Sequence, residues 1–212
     1  IHEGGHALYE QDIPDLLEGT GLNVASSMAV HESQSRFYEN IIGKSREFSN
    51  YLYKEAIKQF NEQFDGVSEE EFYKALNKVT PSLIRTEADE LTYSLHIIIR
   101  YEIEKLLIND IIEVKDLPKV WNEKYKEYLG VEPTSDKEGV LQDVHWSDGS
   151  FGYFPSYALG NLYGAQMLNK MIKDIPEVYQ EVSKGNLKPV HKWLKENVHE
   201  AANLYDPGDI IK

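Results

Sequence analysis

The sequence contains no cysteine, which excludes disulfide bonds and every zinc site built on thiolates. Any metal that the protein holds must therefore be bound by histidine and carboxylate side chains. Positive charge is also scarce, since 22 lysines and arginines stand against 36 aspartates and glutamates and give a net charge of −14. Recognition of nucleic acid or of anionic lipid needs a basic surface, so we expect neither partner.

Long apolar runs are missing as well. The longest is Ile97–Ile99, and it is far shorter than the roughly 20 residues of a membrane-spanning helix. We therefore expect no membrane segment. We recognise no secretory signal, and we expect a cytoplasmic protein.

Strand patterns of any length are absent too, whereas helical patterns recur along the chain. We predict an all-α fold in a single domain, residues 1–212. The predicted helices cover residues 1–10, 26–42, 45–64, a shorter stretch after Ser68, 83–109, 116–130, 155–173, 176–184 and 187–204. Thr80 and Pro81 form a start signal for the long helix, and Asp116 is the predicted cap of the next one. Residues 131–154 predict a long irregular loop, with at most a short β-hairpin at 148–154.

The first residues of the chain contain the pattern His-Glu-x-x-His. On a helix, His2 and His6 lie one turn apart on one face, so that both imidazoles can bind one metal ion. Glu3 lies one step further round, where its carboxylate can take a proton from a water on the metal. This pattern is typical of zinc hydrolases, which need two nitrogen ligands, a base and open coordination positions.

Such a site needs a third protein ligand, usually a carboxylate. Glu32 is the best candidate, because it lies on the next predicted helix, 26 residues after His6. Periodicity alone does not choose Glu32 over Glu39. His31 is either a partner of the metal ligands or a purely structural residue.

Five stretches of the sequence decide between Glu32 and Glu39, because together they resemble the thermostable zinc carboxypeptidases of the carboxypeptidase Taq family. They occur in the family's order and extend over essentially the whole chain. They are His-Glu-Gly-Gly-His-Ala-Leu-Tyr-Glu-Gln (2–11), His-Glu-Ser-Gln-Ser-Arg (31–36), Ile-Arg-Thr-Glu-Ala-Asp-Glu-Leu-Thr-Tyr (84–93), Leu-Gln-Asp-Val-His-Trp-Ser (141–147) and Phe-Gly-Tyr-Phe-Pro-Ser-Tyr (151–157).

The resemblance implies a metallocarboxypeptidase that removes single residues from peptide C-termini with zinc or cobalt as its metal. It implies a mostly helical, neurolysin-like fold and a homodimer. Under this reading the metal ligands are His2, His6 and Glu32, and the catalytic base is Glu3.

The resemblance also suggests how the substrate is held. It makes Arg85 the partner of the substrate's terminal carboxylate, in keeping with the two-pronged way a guanidinium binds a carboxylate. It makes His145 and Tyr153 donors to the oxyanion of the tetrahedral intermediate, and Tyr157 is a further candidate for substrate binding. Arg85 could instead form a structural ion pair with Glu87 or Asp89.

Asp89 and Glu87 could also orient the metal-binding imidazoles, or they could be solvated helix residues. Three more histidines have simpler interpretations. His96 lies on the apolar side of the long helix and is expected in the core. His191 and His199 stand among lysines and glutamates and are expected on a solvated face.

Two alternatives to this function remain open. Members of the resembled family have a substantial helical part before the zinc motif, and this sequence lacks it. The chain could therefore be a truncated helical fragment that binds metal weakly or not at all and has no activity. It could also be a related zinc endopeptidase or dipeptidyl carboxypeptidase.

Overall fold

The computed structural model describes all of residues 1–212, and every regular element in it is a helix. The α-helices are α1 (His2–Asp12), α2 (Met28–Arg36), α3 (Arg46–Gln59), α4 (Glu69–Leu76), α5 (Glu90–Ile108), α6 (Leu117–Leu129), α7 (Pro155–Asp174), α8 (Val178–Val182), α9 (Lys188–Asn197) and α10 (Pro207–Ile210). A π-helical segment, Phe37–Ile42, follows α2 directly, and short 3₁₀ turns lie between several helices. None of the helices is both long and apolar enough to cross a membrane.

The chain divides into two compact units. The first contains residues 1–77 and 159–212, and the second contains residues 78–158. The boundary near residue 158 falls within α7. The expectation of a single domain stays a prediction.

The core of the first unit joins α1 and α2 to the C-terminal helices. Tyr9, Val30 and Phe37 are fully buried and belong to the same apolar cluster as Met171 and Leu194. Two glycines of α7 permit close packing against α2 and the π-helical segment. A Cβ atom at Gly160 would lie 2.8 Å from Cγ of Glu32, and one at Gly164 would lie 2.9 Å from Cδ1 of Ile41.

The core of the second unit lies between α5 and α6. Ile99, Ile103, Trp121 and Tyr125 are buried there, and the Trp121 and Tyr125 rings stack. α6 ends at Gly130, whose left-handed φ of 70° is the usual glycine stop of a helix.

Capping side chains explain where α2, α3 and α4 begin. The hydroxyls of Ser27 and Ser45 accept hydrogen bonds from the backbone of α2 and α3. Ser68 and Glu71 form a complete capping box at α4, as the sequence pattern indicates. Asp116 precedes α6 but makes no side-chain cap, because its carboxylate accepts a bond from the backbone N–H of Glu113 instead.

The predicted long helix is shorter than its pattern indicated. It begins at Glu90 rather than at residue 83, because the Asp89 carboxylate accepts hydrogen bonds from the N–H groups of Leu91 and Thr92 and caps α5. The same carboxylate accepts a hydrogen bond from the Thr80 N–H. Thr80 therefore does not start a helix, and its backbone instead ties the preceding loop to the start of α5. Leu91, an apolar residue in the first turn of α5, is 71% exposed. Residues 148–154 form turns and contain no strand.

Candidate metal centre

Helix α1 places His2 and His6 side by side, with ring centroids 4.9 Å apart. Both rings direct Nε2 towards the carboxylate of Glu32 on α2. The His6 Nε2 lies 3.4 Å from Glu32 Oε2, and the His2 Nε2 lies 3.8 Å from Glu32 Oε1. One nitrogen of each imidazole and one carboxylate oxygen lie within 4.8 Å of one another, so the predicted ligand set is assembled in space.

Glu32 is 3% exposed, and its charge is stabilised by nearby donors. Burial alone would raise the pKa of this carboxyl. The positive charge of Arg36 opposes the effect of burial, and the pKa is held below its usual value. Arg36 also donates from Nε to Glu32 Oε1 at 3.0 Å. Glu32 is therefore an ionised carboxylate, which is the form that binds a metal ion.

The outer nitrogens of the two imidazoles are fixed by hydrogen bonds. His2 Nδ1 lies 2.7 Å from Glu39 Oε2, and because a carboxylate can only accept, Nδ1 carries the proton. Its Nε2 lone pair is then free to face Glu32. This geometry separates the two carboxylates that periodicity left equal: Glu32 faces the ligand nitrogens, whereas Glu39 orients His2 from behind.

His31 does the same for His6. The two Nδ1 atoms are 2.6 Å apart, and His31 Nε2 lies 2.8 Å from Glu10 Oε1. Since Glu10 accepts from Nε2, the neutral His31 ring presents its Nδ1 lone pair, and His6 donates to it. The relay from Glu10 through His31 to His6 thus leaves the Nε2 lone pair of His6 facing Glu32. The sequence interpretation left the role of His31 open and did not include Glu10.

This donor set fits zinc or cobalt. Two imidazole nitrogens and one carboxylate oxygen are the ligands of many catalytic zinc sites, and both histidines have an ordered partner behind them. The His2 and His6 side chains keep 28% and 21% of their surface exposed, so the centre is accessible from solvent. Glu3 follows His2 in the first turn of α1 and is exposed.

The second unit contains the other predicted site residues. Arg85 is 6% exposed and forms a two-pronged ion pair with Asp143, with Nε and Nη2 lying 3.1 and 2.7 Å from Oδ1. Its Nη1 donates to the Tyr93 hydroxyl at 2.7 Å. Arg85 therefore forms an ion pair, but its partner is Asp143 and neither Glu87 nor Asp89.

Asp143 also binds a second arginine, because Arg100 Nε donates to its Oδ2 at 2.6 Å. Burial alone would raise the pKa of Asp143. The hydrogen bond from Arg85 and the charge of Arg100 together hold it below its usual value.

His145, Tyr153 and Tyr157 lie together in this unit. His145 Nε2 is 3.0 Å from the Tyr157 hydroxyl, and its ring centroid is 5.5 Å from that of Tyr153. The Arg85 guanidinium lies over the Tyr157 ring at 4.7 Å. Burial holds the pKa of His145 below its usual value, so this side chain is neutral near pH 7. The structure thus groups the four side chains that were predicted to bind substrate and oxyanion.

The remaining histidines gave one confirmed prediction and one wrong one. His96 is fully buried, and its Nδ1 lies 2.9 Å from the Tyr125 hydroxyl, as expected of a core histidine. The expectation of a solvated face is wrong for His199, which is fully buried. His191 keeps 37% of its side chain exposed, and its ring is hydrogen-bonded to Asp12, as the His199 ring is.

Comparison with protein families matches residues 1–212 to the family described as Carboxypeptidase Taq (M32) metallopeptidase. The chain is 52% identical over 212 residues to Carboxypeptidase 1 of Bacillus subtilis, covering all of this chain and 42% of that protein. It is 44% identical to Thermostable carboxypeptidase 1 of Thermus thermophilus, covering all of this chain and 41% of that protein. The chain thus spans less than half the length of these relatives.

Solved structures of similar proteins have the same fold. The M32 carboxypeptidase of Deinococcus radiodurans superposes with a TM-score of 0.95 at 42% identity, over 99% of this chain and 42% of the other. Metallocarboxypeptidase 1 of Trypanosoma cruzi superposes with a TM-score of 0.93 at 39% identity, over 100% of this chain and 43% of the other.

Proposed function

Because this chain belongs to the carboxypeptidase Taq family of metallopeptidases, we propose that it provides the metal centre of a carboxypeptidase that releases single residues from peptide C-termini. The observation that carries the proposal is the convergence of His2, His6 and Glu32 from two helices. These three side chains would hold zinc or cobalt. When bound, the metal supplies a Lewis acid that makes water more acidic and polarises the scissile carbonyl.

Glu3 is the proposed general base. Its carboxylate takes a proton from the attacking water as the water oxygen bonds to the carbonyl carbon. It then passes the proton to the nitrogen of the leaving amino acid as the C–N bond breaks. Glu39 and the Glu10–His31 pair keep the ligand imidazoles in the tautomer that presents Nε2.

The general-base role is tested by Glu3→Gln, with Glu62→Gln as a control at another exposed glutamate. A blocked dipeptide with a free C-terminus is the substrate, and zinc content is measured in parallel. We expect Glu3→Gln to keep its zinc and to lose turnover by about 10²- to 10⁴-fold, the usual contribution of a positioned base. Undiminished turnover would exclude this role.

For the second unit we propose the roles that the family resemblance implies. Arg85 has five N–H groups, of which Asp143 and Tyr93 engage three, so that one N–H on each terminal nitrogen is left to bind a substrate carboxylate. His145 and Tyr153 are the proposed donors to the oxyanion, and Tyr157 lines the substrate site. Loss of one oxyanion donor typically lowers kcat by about 10²- to 10³-fold, which His145→Ala and Tyr153→Phe would measure.

The competing endopeptidase and dipeptidyl carboxypeptidase functions are separated by the substrate's C-terminus. In a single-residue carboxypeptidase, Arg85→Ala should lower kcat/KM on free-carboxylate peptides by roughly 10- to 100-fold, the worth of a hydrogen bond to a charged group. Peptides with an amidated C-terminus serve as matched substrates and should show little change. Equal loss on both substrates would favour an endopeptidase, and release of dipeptides would identify the third class.

A second candidate applies to residues 1–212 taken alone, which span 42% of the Bacillus subtilis relative. Under this alternative, residues 1–212 form a helical body that holds little metal and has no turnover. Zinc content after dialysis distinguishes the two: about one zinc per chain supports the metal centre, and none supports the inactive body. The proposed homodimer is tested by light scattering on the same samples.

A further inference from the structure

The C-terminal end of α1 lies in a cluster of side chains that the proposed chemistry does not use. Asp12 is the last residue of this helix, and its side chain is 9% exposed. Its Oδ2 atom lies 2.7 Å from His191 Nε2 and 2.8 Å from His199 Nδ1, and its Oδ1 lies 3.2 Å from Lys195 Nζ. The helix that carries His2 and His6 is therefore fastened at its far end to α9 and to the 3₁₀ turn that follows it.

His199 extends this cluster to α2. The ring is fully buried, and its Nε2 lies 2.9 Å from Gln34 Oε1. The orientation of the amide follows from its other contacts: the Ser33 hydroxyl donates to the Val30 carbonyl at 2.6 Å, so its oxygen accepts from Gln34 Nε2 at 2.8 Å. The amide oxygen of Gln34 thus faces Nε2 of His199.

The separation of α1 and α2 matters because the metal ligands are divided between them. His6 lies on α1 and Glu32 on α2. Gly5 sets the closest approach, since a Cβ there would lie 2.6 Å from the Gln34 carbonyl oxygen. Metal–ligand distances are defined to a few tenths of an ångström, so a small shift between the helices changes the centre.

We propose that His199 is a positioning residue for the metal centre, which joins Asp12 of α1 to Gln34 of α2 and so fixes the spacing of His2 and His6 from Glu32. The inference rests on the proposed metal centre. Asp12, His191 and His199 are also of the residue types that bind metal, and their ligand atoms lie within 4.8 Å of one another. The Lys195 ammonium on Asp12 opposes a cation there, and we assign the cluster to hydrogen bonding.

The test replaces His199 with residues that keep one link each. An asparagine amide can reach Asp12 in place of Nδ1, and a glutamine amide can reach Gln34 in place of Nε2. His191→Asn is the matched control, because His191 contacts the same oxygen of Asp12 and does not contact Gln34. Zinc affinity is measured by competition with a chelator, and the visible spectrum of the cobalt-loaded chain reports the ligand geometry. Circular dichroism confirms that each variant is folded.

We expect His199→Asn and His199→Gln each to lower zinc affinity by about tenfold, the lower end of the effect of removing an outer partner of a metal ligand. We also expect a shifted cobalt spectrum for both, and neither change in His191→Asn. If the His199 variants do not fold, Gln34→Met breaks the bridge from α2 and should lower zinc affinity equally.

Three results would overturn the inference. Folded variants with unchanged zinc affinity and cobalt spectrum would exclude the positioning role while leaving the metal centre intact. Two zinc ions per wild-type chain, with the second lost in both the His199 and His191 variants, would show a second metal site. A wild-type chain that binds no zinc would overturn the metal centre and the inference together.

Discussion

The two units each contain a buried carboxylate among basic side chains, but Glu32 and Asp143 are used differently. Asp143 is closed, because the guanidinium groups of Arg85 and Arg100 donate to both of its oxygens at 2.6 to 3.3 Å. Glu32 is open, because Arg36 donates to one oxygen while two imidazole nitrogens face the carboxylate at 3.4 and 3.8 Å.

The difference comes from the donors supplied. A guanidinium group is always protonated, and its several N–H donors can satisfy both oxygens of a carboxylate. An imidazole whose Nδ1 proton is held by Glu39 or His31 presents a lone pair at Nε2, so it cannot satisfy Glu32 by itself. A closed pair stabilises a fold, whereas a carboxylate that faces two lone pairs fits the proposed metal centre.

The largest expected effect breaks the closed pair. Asp143→Asn removes the negative charge that two buried guanidinium groups share, and breaking a buried pair costs about 3–5 kcal/mol. We expect the free energy of unfolding in urea to fall by that amount. Asp148→Asn, at an exposed aspartate nearby in sequence, is the control and should change it little. A loss in Asp143→Asn no larger than in the control would show that the pair contributes nothing.

The closed pair also predicts a pH dependence. The Arg85 hydrogen bond and the Arg100 charge hold the pKa of Asp143 below its unfolded value despite burial. A carboxyl with a depressed pKa stabilises the folded state above its unfolded pKa of about 3.9, and that stabilisation is lost as the pH falls through the folded pKa. The free energies of unfolding of the wild type and of Asp143→Asn should therefore converge as the pH falls below about 4. A constant difference would contradict the assignment.

A change at the open carboxylate, Glu32, should lower zinc affinity. Glu32→Gln keeps the shape of the side chain and removes the anionic ligand, so we expect zinc affinity to fall by more than the roughly 10- to 100-fold that outer partners contribute. Stability of the metal-free chain should change much less than in Asp143→Asn. Glu18→Gln, at an exposed site, is the control in the same chelator titration. Retention of wild-type zinc affinity would remove Glu32 from the ligand set.

The sequence predicted the open site better than the closed one. The spacing of His2 and His6 was enough to predict that their rings lie side by side, because a helix fixes which residues share a face. Glu32 needed the family resemblance, because the contact between α1 and α2 depends on packing that periodicity does not describe. The partner of Arg85 was missed for the same reason: Asp143 is 58 positions away, while the expected partners, Glu87 and Asp89, are close in sequence.

The predicted start of the long helix was wrong because two capping signals lie close together in the sequence. Thr80 and Pro81 predicted the start of the long helix, but the Asp89 carboxylate makes three bonds to backbone N–H groups and starts α5 at Glu90. His199 was placed on a solvated face by its charged neighbours in sequence. Its burial depends on Asp12, 187 positions away, and no local pattern contains that contact.

The smallest predicted effect comes from two glycines of α1. It tests whether the open site depends on the spacing between α1 and α2. In the His-Glu-Gly-Gly-His pattern, a Cβ at Gly5 would lie 2.6 Å from backbone atoms of α2, whereas one at Gly4 meets no atom within 4 Å. Gly5→Ala should cost about 1–3 kcal/mol of stability through overpacking. It should also weaken zinc binding, since α1 must move away from Glu32.

Gly4→Ala should instead stabilise the chain by roughly 0.5–1 kcal/mol through helix propensity and leave zinc affinity unchanged. Urea unfolding and chelator titration on the two variants measure both effects, and equal zinc affinity in the pair would show that the centre tolerates a wider helix spacing.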